Sequence, residues 1–176
     1  MSQFENMSDA WKVNRTDRRT FELLYREELF ARIFYQRWNR YNADIDMASG
    51  EKYSFKRKSF WRNSHAFFNR GKEIGLLKVT WGVAIRFTLT WENLAREYIF
   101  KRRNIWKTSF VLIDTAGNEL YTIQQNFRWK EFAYQYHAIS AISQPDELDK
   151  LLFVLSVYFA NFLLAQSAAE AAAATS

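Results

Sequence analysis

The chain contains no cysteine and very little proline or glycine, and each scarcity narrows what the protein can be. Of its 176 residues none is Cys, one is Pro and five are Gly. Without cysteine there is no disulfide, no thiolate metal site, no Cys nucleophile and no palmitoyl anchor. Because Pro and Gly, which interrupt strands, are rare and 18% of the residues are aromatic, the composition favours β-strands. With 48% hydrophobic residues the chain is expected to fold as one domain.

The N-terminal stretch MSQFENMSDAWKVNRTDRRT has no apolar segment of the kind that secretory signals carry. This favours a cytoplasmic protein and leaves association with the periphery of a membrane open. Residues 1–20 are interpreted as a polar segment that precedes the domain. The formal net charge of +6 indicates attraction to polyanions, either nucleic acid or an anionic lipid surface, although a charge that serves solubility alone fits as well.

Catalytic signatures are also missing from the sequence. His65 and His137 stand alone, and there is no Gly-rich phosphate loop, no Ser-His-Asp arrangement and no HExxH motif. Asp44 and Asp46 share one face of a predicted strand, yet an exposed strand face explains them better than a catalytic carboxylate pair. The sequence therefore predicts a non-enzymatic protein with no cofactor and no metal.

The strongest positive signal is an internal repeat. The segment YSFKRKSFWRNS at 53–64 returns 45 positions later as YIFKRRNIWKTS at 98–109. The similarity extends upstream, where residues 43–47 correspond to 83–89, and downstream, where 66–74 correspond to 111–120. Each copy therefore reads as strand, turn, strand, basic corner, strand, turn, strand.

Turns and alternating side chains set the expected strand boundaries. Hairpin turns are predicted at 48–50, 69–72 and 114–118. Further strands are predicted within 76–89 and within 128–142. Residues 20–42 are ambiguous, because near-helical spacing of apolar positions coincides with bulky aromatics that suit two strands.

The last part of the chain predicts a helix at about 145–166. Its start is indicated by the Ser143 hydroxyl as a cap, by Pro145 and by three carboxylates that favour the positive end of the helix dipole. The stretch Leu151–Ala165 is apolar on all sides. Residues 167–176 are Ala-rich and are expected to fray.

A helix without a polar face lies either in a protein core or in lipid. The apolar run is about 15 residues, shorter than the roughly 18 needed to span a bilayer. Ser156, Asn161 and Gln166 point in different directions around the axis, and no Lys or Arg follows to fix an orientation. The sequence favours a core helix, Leu148–Ala165, and a tail anchor is the alternative.

The duplicated hairpins, the Tyr-x-Phe-Lys-Arg…Trp corner and the terminal apolar helix together resemble the tubby C-terminal-like superfamily, in its LURP-one-related and phospholipid-scramblase branch. The resemblance covers residues 21–165. It implies a mainly β fold, a twisted closed β-barrel of two repeated strand units around a central hydrophobic C-terminal α-helix. It also implies strands at Phe21–Tyr35 and a single domain over 21–166.

The chain departs from this branch in ways that bear on activity. Scramblases carry a proline-rich N-terminal segment, lipid-accepting cysteines and an acidic calcium-binding stretch, all of which are missing here. Tubby proteins bind phosphoinositide head groups through a basic pocket, but their ligand-binding residues have no one-to-one match in this sequence.

The candidate site is the pair of basic corners within the repeat. A two-residue period places the rings of each copy on one strand face and the cations Lys56 and Lys58, or Lys101 and Arg103, on the other. If the rings face inward, these four form an outer cationic surface. The candidate lipid-binding residues are Lys56, Lys58, Arg62, Lys101, Arg103 and Lys107. The alternative is that they are solvated strand faces that block edge-to-edge aggregation.

Trp61 and Trp106 follow the basic runs and are candidates for insertion at a membrane interface or for base stacking. A role as core or corner residues is the plainer interpretation. We expect a tubby-like domain that associates with anionic phospholipid surfaces. The alternatives are a protein-interaction or structural module, a nucleic-acid-binding protein, and a scramblase-like protein anchored by its C-terminal helix.

Overall fold

The computed structural model describes most of the chain as strands closed around one helix. The described residues are 10–17, 19–36, 39–59, 64–80, 84–104, 108–128, 133–140 and 142–174. The elements are β1 (Trp11–Arg15), β2 (Thr20–Tyr25), β3 (Glu28–Gln36), β4 (Asn39–Met47), β5 (Lys52–Ser59), β6 (Ser64–Asn69), β7 (Lys72–Thr80), β8 (Ala84–Trp91), β9 (Leu94–Asn104), β10 (Ser109–Asp114), β11 (Glu119–Arg128), β12 (Ala133–Ser140) and α1 (Glu147–Ala174).

The strands form a closed antiparallel barrel in which each strand pairs with its neighbours in the chain. Closure comes from β1 pairing with β12, with Val13 opposite Tyr136. The fold class predicted from the sequence is confirmed: a mainly β barrel with a C-terminal helix. Because successive strands alternate in direction, all odd-numbered strands end at the same end of the barrel, and all even-numbered strands end at the other.

The sequence repeat corresponds to two four-strand units, β4–β7 and β8–β11. The three predicted hairpin turns are confirmed. At the turn between β6 and β7, Arg70 and Gly71 both have positive φ angles, 48° and 81°. This is the geometry that two-residue hairpin loops prefer, because its twist matches that of the flanking strands. The described residues of the ambiguous segment 20–42 form β2, β3 and the start of β4, and none of them is helical.

The barrel begins earlier than the sequence indicated. Residues 1–20 were expected to precede the domain, but β1 lies within them and supplies the strand that closes the barrel. Trp11 and Val13 point inward and are buried. The ring of Trp11 lies 4.4 Å from that of Phe153 on α1. Alternation over five residues is too short to stand out in a polar segment.

Both ends of α1 differ from the prediction. The cap is Asp146 and not Ser143: Asp146 Oδ1 accepts a hydrogen bond from the Asp149 N–H at 2.8 Å, and Asp149 Oδ2 accepts one from the Asp146 N–H at 3.1 Å. At the other end the helix continues to Ala174 instead of fraying near residue 166. Alanine has the highest helix propensity, which accounts for the extension.

The apolar part of α1 fills the barrel. Every residue from 151 to 160 is buried. Tyr158 stacks on Phe55 of β5, with ring centroids 4.0 Å apart, and Phe159 packs against Phe87 of β8 and Phe100 of β9. The helix is therefore the centre of the core, as predicted.

The polar side chains on α1 find partners inside the barrel. Asn161 donates a hydrogen bond from Nδ2 to the hydroxyl of Tyr35 at 3.0 Å, and it accepts one from the hydroxyl of Tyr136. Ser156 donates to the carbonyl of Leu152 one turn back. Tyrosine hydroxyls, rather than strand carbonyls, thus satisfy the helix amide, which a buried polar group requires.

By length and composition α1 also passes the test for a membrane span. Its most apolar stretch has a mean hydropathy of 1.7, and 67% of that stretch is buried inside the barrel. The core helix of a soluble protein satisfies the same criterion, so this property alone is weak evidence for insertion.

His65 on β6 gives the fold a pH-dependent stability. It is 1% exposed, its ring packs edge-on to Phe162, and burial, with a smaller contribution from the charge of Arg57, lowers its pKa from 6.5 to about 4. As the pH falls, His65 is therefore protonated near pH 6.5 in the unfolded chain but only near pH 4 in the folded chain.

We expect the stabilisation that neutral His65 provides to be present above pH 6.5 and to be lost as the pH falls toward 4. From pH 7 to pH 5 this loss amounts to about 2 kcal/mol. Urea unfolding of the wild type and of His65→Leu at several pH values measures it. The free energy of unfolding of the wild type should fall relative to that of the variant by about 2 kcal/mol from pH 7 to pH 5, whereas a pH-independent difference would contradict the assignment.

Candidate functional site

The aromatic residues of the two basic corners face inward. Tyr53 and Phe55 on β5, and Tyr98 and Phe100 on β9, are all at most 5% exposed. Their neighbours Lys56, Lys58, Lys101 and Arg103 are exposed on the outer wall. The predicted arrangement of the two faces is confirmed for these described residues.

The other predicted site residues cannot be placed in the barrel. Arg62 and Lys107, and the two tryptophans Trp61 and Trp106, lie outside the described residues. The candidate surface is therefore built from strand residues alone.

The two corners are not neighbours. Strands β6, β7 and β8 lie between β5 and β9, so the corners are four strand spacings apart, about 19 Å along the wall. Both corners nevertheless lie toward the same end of the barrel, because β5 and β9 run in the same direction.

Two further cations join the corners into one surface. Lys78 on β7 pairs in register with Ser64 of β6 on one side and with Arg86 of β8 on the other. Both Lys78 and Arg86 are exposed on the outer wall. We call this surface the basic band. Its members are Lys56, Lys58, Lys78, Arg86, Lys101 and Arg103.

Sequence reasoning missed Lys78 and Arg86 because they belong to the strands that link the repeats, not to the repeated basic motif. The available signal was alternation: in LLKVT and AIRFT each cation stands between residues of the apolar face. Their direct opposition follows only from the register of β7 and β8. Like charges directly opposite each other on paired strands are unfavourable, so an anion near this pair would relieve repulsion.

Carboxylates neutralise part of the basic band, in the same way in each repeat unit. Lys58 pairs with Glu73 at 2.8 Å, and Arg103 pairs with Glu119 at 3.2 Å. These exposed pairs contribute little to stability. For Lys58 and Arg103 the ion pairs agree with the alternative interpretation, in which the corner cations form solvated strand faces.

The other four cations of the band are available to a ligand. Within the described part of the chain Lys56, Lys78, Arg86 and Lys101 form no ion pair. The Lys56 ammonium lies 5.8 Å from the centre of the Phe68 ring on the outer wall, a weak cation–π contact that leaves its charge exposed.

Charge is segregated between the two ends of the barrel. The basic end is the one at which the odd-numbered strands finish, and the acidic end is the opposite one. Lys58 and Arg103, which pair with Glu73 and Glu119, are counted with neither end. The other described cations near the basic end are Arg15, Arg19, Arg57, Lys78, Arg86 and Arg102, against Asp17 and Glu22.

The acidic end has the reverse balance. Described carboxylates there are Glu27, Glu28, Asp46, Glu51, Glu92, Asp114, Asp146, Glu147 and Asp149, against the cations Lys12, Arg26, Lys52, Arg70, Lys72, Arg96 and Lys150. Among the described residues, positive charge is thus concentrated at one end of the barrel and negative charge at the other.

A shallow groove of about 220 Å³ on the outer wall borders the band. Lys78, Arg86, Leu76, Ile99 and Glu97 are among the residues that line it. Small-molecule sites usually enclose about 300–1,000 Å³, so the groove is smaller than a typical substrate pocket. Its exposed walls fit contact with a surface better than enclosure of a substrate.

The carboxylates considered for catalysis have structural partners. Asp46 pairs with Lys52 at 3.4 Å, and Asp44 accepts a hydrogen bond from Gln36 Nε2 at 3.4 Å. No group of three or more potential metal ligands occurs among the residues that the structure describes.

Comparisons with known proteins add no relative. No protein-family model, curated protein or solved structure matches the chain.

Proposed function

We propose that this chain is a non-enzymatic, tubby-like domain that associates with anionic phospholipid membrane surfaces through its basic band. One observation carries the proposal: six cations on β5, β7, β8 and β9 face outward toward one end of the barrel, and four of them form no ion pair within the described residues. The closed barrel around a C-terminal helix agrees with the architecture that the tubby resemblance implies.

The charges favour peripheral binding. A Lys or Arg near an anionic leaflet contributes about 1 kcal/mol, so four unpaired cations supply about 4 kcal/mol before the cost of association. Binding of this strength is reversible. It also depends on salt, because the Debye length falls from about 10 Å at 0.1 M to about 3 Å at 1 M.

Nucleic-acid binding has less support. Single-stranded nucleic acids bind to aromatic platforms beside cations. Here the corner rings Tyr53, Phe55, Tyr98 and Phe100 are buried in the barrel, so the repeated aromatic residues offer no stacking faces to a base.

The alternative of a scramblase-like protein anchored by α1 has less support too. Insertion would require the helix to leave the barrel and expose side chains that are fully buried, such as Phe153 and Phe159. Removing a large aromatic side chain from a core costs several kcal/mol.

Vesicle flotation tests the proposal. We expect the protein to float with phosphatidylcholine vesicles that contain phosphatidylserine, not to float with phosphatidylcholine alone, and to be released as salt rises to 1 M. Equal binding to neutral vesicles, or none to anionic ones at low salt, would contradict it. Retention at 1 M salt would indicate insertion of α1.

A further inference from the structure

We infer that the barrel meets an anionic bilayer with its basic end, so that the C-terminal turns of α1 lie on the membrane side and the acidic end points away. This orientation rests on the proposed lipid binding and adds its geometry. It follows from the direction of α1 and from the charge segregation along the barrel.

The helix runs from the acidic end to the basic end. At its start, the carbonyl of Asp149 accepts a hydrogen bond from the Tyr121 hydroxyl at 2.9 Å, and Tyr121 lies near the start of β11, at the acidic end. Farther along, Phe162 packs against His65 near the start of β6, at the basic end. The chain from 147 to 162 therefore crosses the barrel, a length of about 23 Å.

The last turns of α1 continue past the core on the basic side. Ser167, Ala168 and residues 171–173 are exposed helical residues beyond the buried segment. Eleven further residues add about 16 Å at 1.5 Å per residue. This Ala-rich extension carries a single charge, at Glu170, so it presents little repulsion to lipid.

Electrostatics sets the orientation. The two ends are separated by about 23 Å, nearly three Debye lengths at physiological ionic strength, so an anionic surface acts on the nearer end almost alone. Attraction of the basic end and repulsion of the acidic end both favour the same orientation.

The absence of cysteine makes the orientation measurable with single labels. Ala168 lies on the extension of α1, and Ala116 lies in the turn between β10 and β11 at the acidic end; both are exposed. The variants A168C and A116C, each carrying the same environment-sensitive fluorophore, are titrated with phosphatidylcholine–phosphatidylserine vesicles that contain a lipid-bound quencher. Flotation of the same samples measures binding.

We expect strong quenching and a blue shift for the label at 168, and neither for the label at 116, while both proteins float equally. If the proteins float but the two labels respond equally, or only the label at 116 responds, or neither responds, the orientation is overturned. Lipid binding itself would still hold in each of these cases. No flotation of either protein, or of the unlabelled wild type, would overturn both proposals.

Discussion

Replacing Phe159 by alanine will lower the free energy of unfolding by about 3–5 kcal/mol. The side chain is fully buried on α1, and its ring centroid lies 4.9 Å from that of Phe87, 5.6 Å from Phe100 and 5.9 Å from Phe55. Truncation removes contacts to three strands of the barrel at once and leaves a cavity that closed strands cannot collapse to fill. Urea-induced unfolding followed by circular dichroism measures the loss.

Leu94→Ala is the matched control. Leu94 is also a large apolar residue but is 60% exposed at the start of β9, so its truncation should change stability by less than about 0.5 kcal/mol. If F159A unfolds at the same urea concentration as the wild type, α1 is not the core of the folded barrel. The anchor interpretation would then return.

The barrel architecture could be predicted because the alternation of inward and outward side chains is a local signal and because that alternation is repeated along the chain. Alternation placed Tyr53 and Phe55 inward, and the repetition of that pattern at Tyr98 and Phe100 made a chance match improbable. The closing strand β1 is not predicted from the sequence because the alternation of its five residues is weak. Its pairing partner, β12, lies near the other end of the chain. Long-range pairing of this kind is not encoded in any short segment.

The candidate site was predictable only in part. The outward cations of β5 and β9 follow from the two-residue period, whereas the position of Lys78 and Arg86 between them follows from register across three further strands. The pairing of Lys58 with Glu73 is likewise a tertiary contact. An amide inside a core requires hydrogen-bond partners, but the choice of Tyr35 and Tyr136 for Asn161 depends on which strands surround α1.

Neutralising the repeated corners will weaken binding to anionic vesicles by about 30- to 1,000-fold. The variant K56Q/K58Q/K101Q/R103Q removes four cations of the basic band from the outer wall. At about 1 kcal/mol for an unpaired cation and less for Lys58 and Arg103, the lost binding free energy is about 2–4 kcal/mol. Since all four side chains are exposed, the fold should remain intact, and a urea unfolding curve close to that of the wild type checks this.

The acidic end supplies a control with the same change of net charge. The variant K52Q/R70Q/K72Q/R96Q also removes four positive charges, from exposed residues near the turns at the opposite end. If non-specific attraction by the total charge of +6 caused binding, the two variants would behave alike. If the basic band makes the contact, the second variant should bind nearly as well as the wild type.

The most direct test is therefore the ratio of the dissociation constants of these two variants, measured on the same phosphatidylcholine–phosphatidylserine vesicles at the same salt concentration. Binding through the basic band predicts that the corner variant binds at least about 30-fold more weakly than the acidic-end variant. Equal dissociation constants would contradict it, because the position of the cations on the barrel would then have no effect on lipid binding.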